Sequence, residues 1–189
     1  MARPVVTLRN IAVTLLFCGV APRHAAAQVL SGTASVNLNA ILAQSLSISV
    51  TSGSTVNFTL SNGATATGDV SVVVQTSWNL TPTLVGAVTL YGYFGTPGQA
   101  LSDGTGNYIT STQVEGRMLT GTPVTYSPFT QTGPVGPAGG SLALYTEVVT
   151  ALNAIKTRTD NLDLRINLTA QTIPSGTYQG VLTLRARAI

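Results

Sequence analysis

Histidine and cysteine are almost absent from this 189-residue chain, which holds one of each, Cys18 and His24. Both fall in residues 1–27, and that stretch reads as a secretory signal peptide. Arg3 and Arg9 precede an apolar run over 11–21 that is too short to span a bilayer, and Ala25-Ala26-Ala27 supplies small residues ahead of a cleavage point at Gln28. A chain starting at Gln28 has neither imidazole nor thiol. Hydrolysis by a Ser/His/Asp or Cys/His arrangement is thereby excluded, zinc, copper and haem lose their usual ligands, and no disulfide can form. A lipid on Cys18 is not expected, because bulky Phe17 stands where a lipoprotein cleavage site needs a small residue; Cys18 reads as one more apolar residue of the signal.

Charge is scarce as well, at 8% Asp, Glu, Lys and Arg. The formal net charge of +3 belongs to the precursor, since Arg3, Arg9 and Arg23 leave with the signal. Six cations then face six acids, Asp69, Asp103, Glu115, Glu147, Asp160 and Asp163. A nucleic-acid partner is not expected, because no basic face remains to supply long-range attraction. No second apolar run follows the signal, so no transmembrane anchor is expected either. A surface made mainly of Thr, Ser, Asn and Gln carries little repulsion between copies and suits association with itself or with other surface proteins.

What the chain does have is alternation with period two, which in an extended backbone sends every second side chain to one face. Residues 28–189 are sufficient for a single domain with a core of its own. Ala34, Val36, Leu38, Ala40 and Leu42 form one apolar row, Leu46, Ile48 and Val50 a second, and Val56, Phe58 and Leu60 a third. Val70, Val72, Val74 and Trp78 follow, then Leu162, Leu164, Ile166 and Leu168, and finally Tyr178, Leu182 and Leu184. Turn residues separate the rows: Ser52-Gly53-Ser54, Ser61-Asn62-Gly63, Gly95-Thr96-Pro97-Gly98, Asp103-Gly104-Thr105-Gly106 and Ile173-Pro174-Ser175-Gly176. Many short, one-sidedly apolar strands between such turns predict an all-β fold, an immunoglobulin-like antiparallel β-sandwich. The Pro/Gly-rich stretch 127–140 is expected to be a long surface loop, and residues 142–156 a strand or a short helix.

Few residues offer chemistry. Asp160 and Asp163 are the closest carboxylate pair, but three positions apart on an extended chain they face opposite sides, and they are expected in a solvated turn before a strand rather than in a glycosidase site. Asp103-Gly104-Thr105-Gly106-Asn107 looks like a calcium turn yet lacks the further carboxylates such a loop brings, so an ordinary connection is expected and no metal or cofactor. Tyr91, Tyr93 and Phe94 offer a ligand platform for sugar rings; aromatic residues on a strand more often pack on their cross-strand neighbours. The sequons at Asn57, Asn79 and Asn167 lie inside expected strands, and no glycan is expected on them.

Two segments carry a resemblance. Trp78-Asn79-Leu80, after a Val-rich strand, resembles the Trp-x-Leu element of the bacterial WxL surface domains. The run Ile173-Pro174-Ser175-Gly176-Thr177-Tyr178-Gln179-Gly180-Val181-Leu182 resembles the closing Pro-x-Gly-x-Tyr-x-Gly strand shared by those domains and by fimbrial-type immunoglobulin-like subunits. The chain departs from the first family in having Leu182-Thr183-Leu184 where a second Trp-x-Leu usually stands, and from many members of the second in lacking a cysteine pair. The first resemblance implies a cell-wall or glycan ligand, the second chaperone-assisted polymerisation. The expectation is a non-enzymatic secreted bacterial protein of the periplasm or cell surface, a structural or adhesive subunit. A carbohydrate-binding module using Tyr91, Tyr93 and Phe94 is the alternative. The row Ala34, Val36, Leu38, Ala40 and Leu42 is long and clean for a chain terminus, and it marks either a strand paired in its own domain or one that completes a neighbour's sheet.

Overall fold

The computed structural model describes residues 35–189; the stretch expected to be a signal peptide, and Ala34, lie outside the described residues. Residues 35–40 belong to an N-terminal unit and are irregular and exposed. Residues 41–189 form the second unit, which is built almost wholly of strands. These are β1 (Ser45–Ser52), β2 (Thr65–Thr67), β3 (Val72–Asn79), β4 (Ala87–Phe94), β5 (Leu101–Ser102), β6 (Tyr108–Ile109), β7 (Val114–Met118), β8 (Ser127–Pro128), β9 (Ser141–Val148), β10 (Ile155–Asn167) and β11 (Leu182–Ala188). No helix among the described residues is long and apolar enough to cross a membrane.

The larger sheet runs β1-β3-β10-β7-β8, with β2 on the part of β10 beyond the end of β3; the smaller runs β11-β4-β9. Every pairing is antiparallel. Period-two burial explains why the sheets stack: Val72, Val74, Trp78, Leu162, Leu164 and Ile166 turn inward from one, Val88, Leu90, Leu142 and Leu144 from the other, and they meet in one apolar cluster. Trp78 is 2% exposed, as its parity with Val72 and Val74 predicts, and its indole N–H donates to the Asn153 carbonyl at 2.9 Å.

Several expectations are corrected. Val70 sits in a bend and is largely exposed, because β3 begins only at Val72. Residues 142–156 are strand at both ends, most of β9 and the start of β10, but a turn over 149–154 divides them and no helix forms. Residues 35–44 form no strand. Residues 56–60 are not a strand either: Val56, Phe58 and Leu60 face the core, but the backbone there joins no ladder, and Asn57 instead trades hydrogen bonds with Asp69. The resemblance to a closing strand over residues 173–182 holds only at its end, since β11 starts at Leu182 and the preceding residues are loop apart from a bridge from Gln179 to Ser102.

The 127–140 stretch is more than a surface loop. Its Phe129 is fully buried, packing edge-on against Phe94 at 5.2 Å between ring centres. Glycines on the two facing sheets make room for that ring: a Cβ on Gly92 would lie 2.9 Å from it, and one on Gly116 3.2 Å. Phe129 N–H donates to Val114 of β7, and Gln131 bridges Ser141 of β9. The segment thus steps from one sheet to the other and closes that side of the sandwich.

Replacing Trp78 by alanine empties a large buried site and should cost about 3–5 kcal/mol of stability. Urea titration of the purified variant checks this; an unchanged midpoint would contradict the core assignment.

Candidate functional site

On the opposite side of the sandwich the described residues make no such closure. β1 and β11 are the free edges of the two sheets; they approach one another, and a groove of about 1510 Å³ opens between them. Ile48 and Val50 of β1 line it, as do Leu182 and Leu184 of β11, whereas Leu46, Ala186 and Ala188 do not. The groove therefore starts at mid-sheet and runs toward one end of the molecule, here called the far pole, where Leu182 pairs with Phe94. There β1 has ended, and Val56, Phe58 and Leu60 form the wall in its place. Core residues such as Val72, Leu164 and Ile166 make the floor.

Two physical features define what such a groove can do. Its walls are rows of half-buried apolar side chains packed on the core, so filling it removes further apolar surface from water. Its edges are two strands whose outward N–H and C=O groups have no strand partner, so an extended peptide laid between them gains main-chain hydrogen bonds. An extended segment with alternate apolar side chains matches both features.

The chain holds a segment with that alternation, although it forms no strand of its own. Val36, Leu38 and Leu42 are exposed, Leu38 at 89%, although their alternation is that of a core-facing strand. This segment precedes β1, whose first residue, Ser45, pairs with Asn79 at the other end of the sheet, the near pole. The groove and the point where the N-terminal segment leaves the sandwich thus lie toward opposite poles.

The remaining candidates are absorbed by the fold. Tyr91 and Phe94 are buried, and Tyr93 lies so close under Gly136 that a Cβ there would come within 2.5 Å of its ring; the three rings present no exposed platform. Asp160 and Asp163 do face opposite sides, but inside β10 rather than in a solvated turn. Buried Asp160 is gripped by Nε and Nη2 of the Arg158 guanidinium, at 2.6 and 2.7 Å, and by the Thr120 hydroxyl at 2.7 Å, while Asp163 takes Ser71 and Arg117. Asn57 and Asn167 spend their side-chain amides on Asp69 and Glu115. No group of three or more His, Cys, Asp or Glu suited to a metal occurs among the described residues.

Asp103 closes the β5–β6 hairpin at the far pole. Its carboxylate accepts four hydrogen bonds, from the backbone N–H and side chains of Thr105 and Asn107, at 2.6 to 3.1 Å. The Asn107 amide foremost, then Thr105, holds its acidity well below the usual carboxylate range. Nearby Tyr178, on the groove wall, is shifted up by desolvation and secondarily by the Asp103 charge.

The groove wall at 56–60 was legible as an apolar row, but its departure from the ladder was not. The free edge of β11 carried no signal, because pairing partners are distant in sequence. A depressed carboxyl stabilises the folded state above its unfolded value, near 3.8, and that contribution is lost as pH falls further. Melting curves should therefore show an acid-side decline that Asp103→Asn makes shallower. Added calcium should leave the melting temperature unchanged, because both carboxylate oxygens are already occupied; a calcium-dependent rise would restore the metal reading.

No family model, curated protein or solved structure matches this chain.

Proposed function

We propose that this protein is a non-enzymatic, secreted bacterial surface subunit of the immunoglobulin-like sandwich type that assembles by strand exchange. The segment Ala34, Val36, Leu38, Ala40 and Leu42 of one copy fills the groove between β1 and β11 of the next. One observation carries the reading: a sandwich left open along one pair of sheet edges, preceded in the same chain by an exposed segment with the apolar periodicity that the opening lacks.

Energetics favour occupancy. Burying Val36, Leu38 and Leu42 is worth about 1.5–3 kcal/mol each, before the main-chain hydrogen bonds along two edges. Polarity favours a chain of copies over a closed pair, since the donor leaves at the near pole and the acceptor opens toward the far one. Such a head-to-tail contact propagates instead of closing on itself unless the rotation between copies happens to make a ring. The near-neutral surface leaves little repulsion to oppose assembly.

Deleting residues 28–43 removes the donor and leaves every strand from β1 onward. The truncated protein should be monomeric, form no polymer, and gain stability from a synthetic peptide of residues 28–43, read by light scattering and thermal melting. A full-length protein from Gln28 that stays monomeric at high concentration, with a truncation that unfolds and is not rescued by peptide, would overturn strand exchange in favour of a self-contained sandwich.

A further inference from the structure

The near pole is formed by two connections between the sheets. Residues 80–86 join β3 to β4, and residues 149–154 join β9 to β10. They are held together by backbone hydrogen bonds, Leu80 N–H donating to the Ala154 carbonyl at 2.8 Å and Val149 N–H to the Gly86 carbonyl at 2.9 Å. The inner side of the pole is anchored as well: Trp78 donates to Asn153, and Asn153 donates to Glu147 and to the Val148 carbonyl. Leu80 and Val149 of these connections pack into the core, yet each connection also turns a leucine outward. Leu152 is 99% exposed and Leu84 73% exposed. Fixed apolar side chains without a packing role in their own sandwich are the kind of feature that meets another surface.

The strand-exchange reading, on which this inference rests, says what that surface is. Only Ala43 and Gln44 separate Leu42, the last apolar residue of the donor row, from Ser45, the first residue of β1. Three residue steps of fully extended chain reach roughly 10 Å. A donor seated up to Leu42 therefore draws the near pole of its own sandwich to within a few side-chain lengths of the acceptor. The groove opens toward the acceptor's far pole, so that is the end it meets. Val181, at the groove wall just before β11, is an exposed apolar residue there.

We propose that the near pole, through Leu84 and Leu152 of its two connections, is a second contact face between copies, pressed against the far pole of the preceding copy by the two-residue tether. The donor strand provides the link and the pole sets the angle. Successive copies then form a stiff rod instead of beads on a string. Lengthening the tether frees the pole without touching the strand.

The chain from Gln28 has no cysteine, so a single one can be placed cleanly. Leu152→Cys and, independently, Leu84→Cys alter exposed positions, and melting temperatures identify variants that fold as the parent does. Maleimide labelling is then compared between the polymer and the monomer lacking residues 28–43. In the polymer, labelling at both sites should be about tenfold slower or more, as access to the thiol is lost. Inserting Gly-Ser-Gly-Ser after Ala43 should restore the monomer's rate while polymers persist. Equal labelling rates in monomer and polymer, or protection that survives the insertion, overturn the contact face and leave strand exchange standing. If the parent protein forms no polymer, strand exchange falls and the face falls with it.

Discussion

The structure turns on an asymmetry between the two sides of one sandwich. Two sheets with apolar inner faces must close against each other, and each has two edges whose hydrogen-bonding groups need a partner. On one side the chain solves this itself: residues 127–131 cross from β7 to β9, and Phe129 plugs the gap between Gly92 and Gly116. On the other side β1 and β11 face each other across a groove, and none of the described residues pairs between them. The N-terminal segment, the groove wall and the exposed near pole all take their meaning from that missing closure.

Electrostatics reinforces the same partition. Glu147 and Asp160 hold Lys156 and Arg158, Asp163 holds Arg117, and Glu115 holds Arg165. These pairs join β7, β9 and β10, away from the groove, with desolvation of Glu147 outweighed by its hydrogen bonds from Lys156, Asn153 and Arg158, so its acidity still lies below the ordinary value. Among the described residues, Arg185 and Arg187 form no such pair, and both stand on β11. Charge on an edge strand is a common way to discourage indiscriminate pairing with other strands. Their parity places them opposite Leu184 and Ala186, on the outer face, where neither lines the groove.

Much of this was legible because period two is a local signal. Val72, Val74, Trp78, Leu162, Leu164 and Ile166 are inward residues in the sequence and in the structure alike. The same periodicity misled where a strand's existence depends on a distant partner. Residues 56–60 alternate as well as β1 does, but β2 has taken the lane beside β10, and Asp69 ties Asn57 outside any ladder. Phe129 was hidden by its neighbours: prolines and glycines announce a loop, and nothing local shows that the loop crosses between sheets. The groove itself was least legible of all, since an opening is a relation between β1 and β11, some 130 residues apart in the chain.

Hydrogen–deuterium exchange, read along the chain in monomer and in polymer, tests the central claim most directly. The account predicts rapid exchange over residues 35–44 in the monomer, and in the polymer new protection confined to those residues and to the outward-facing amides of β1 and β11, while β9 and the 127–131 crossing stay as they were. A polymer in which residues 35–44 still exchange freely, or in which new protection falls on β9 instead of β1 and β11, would contradict it.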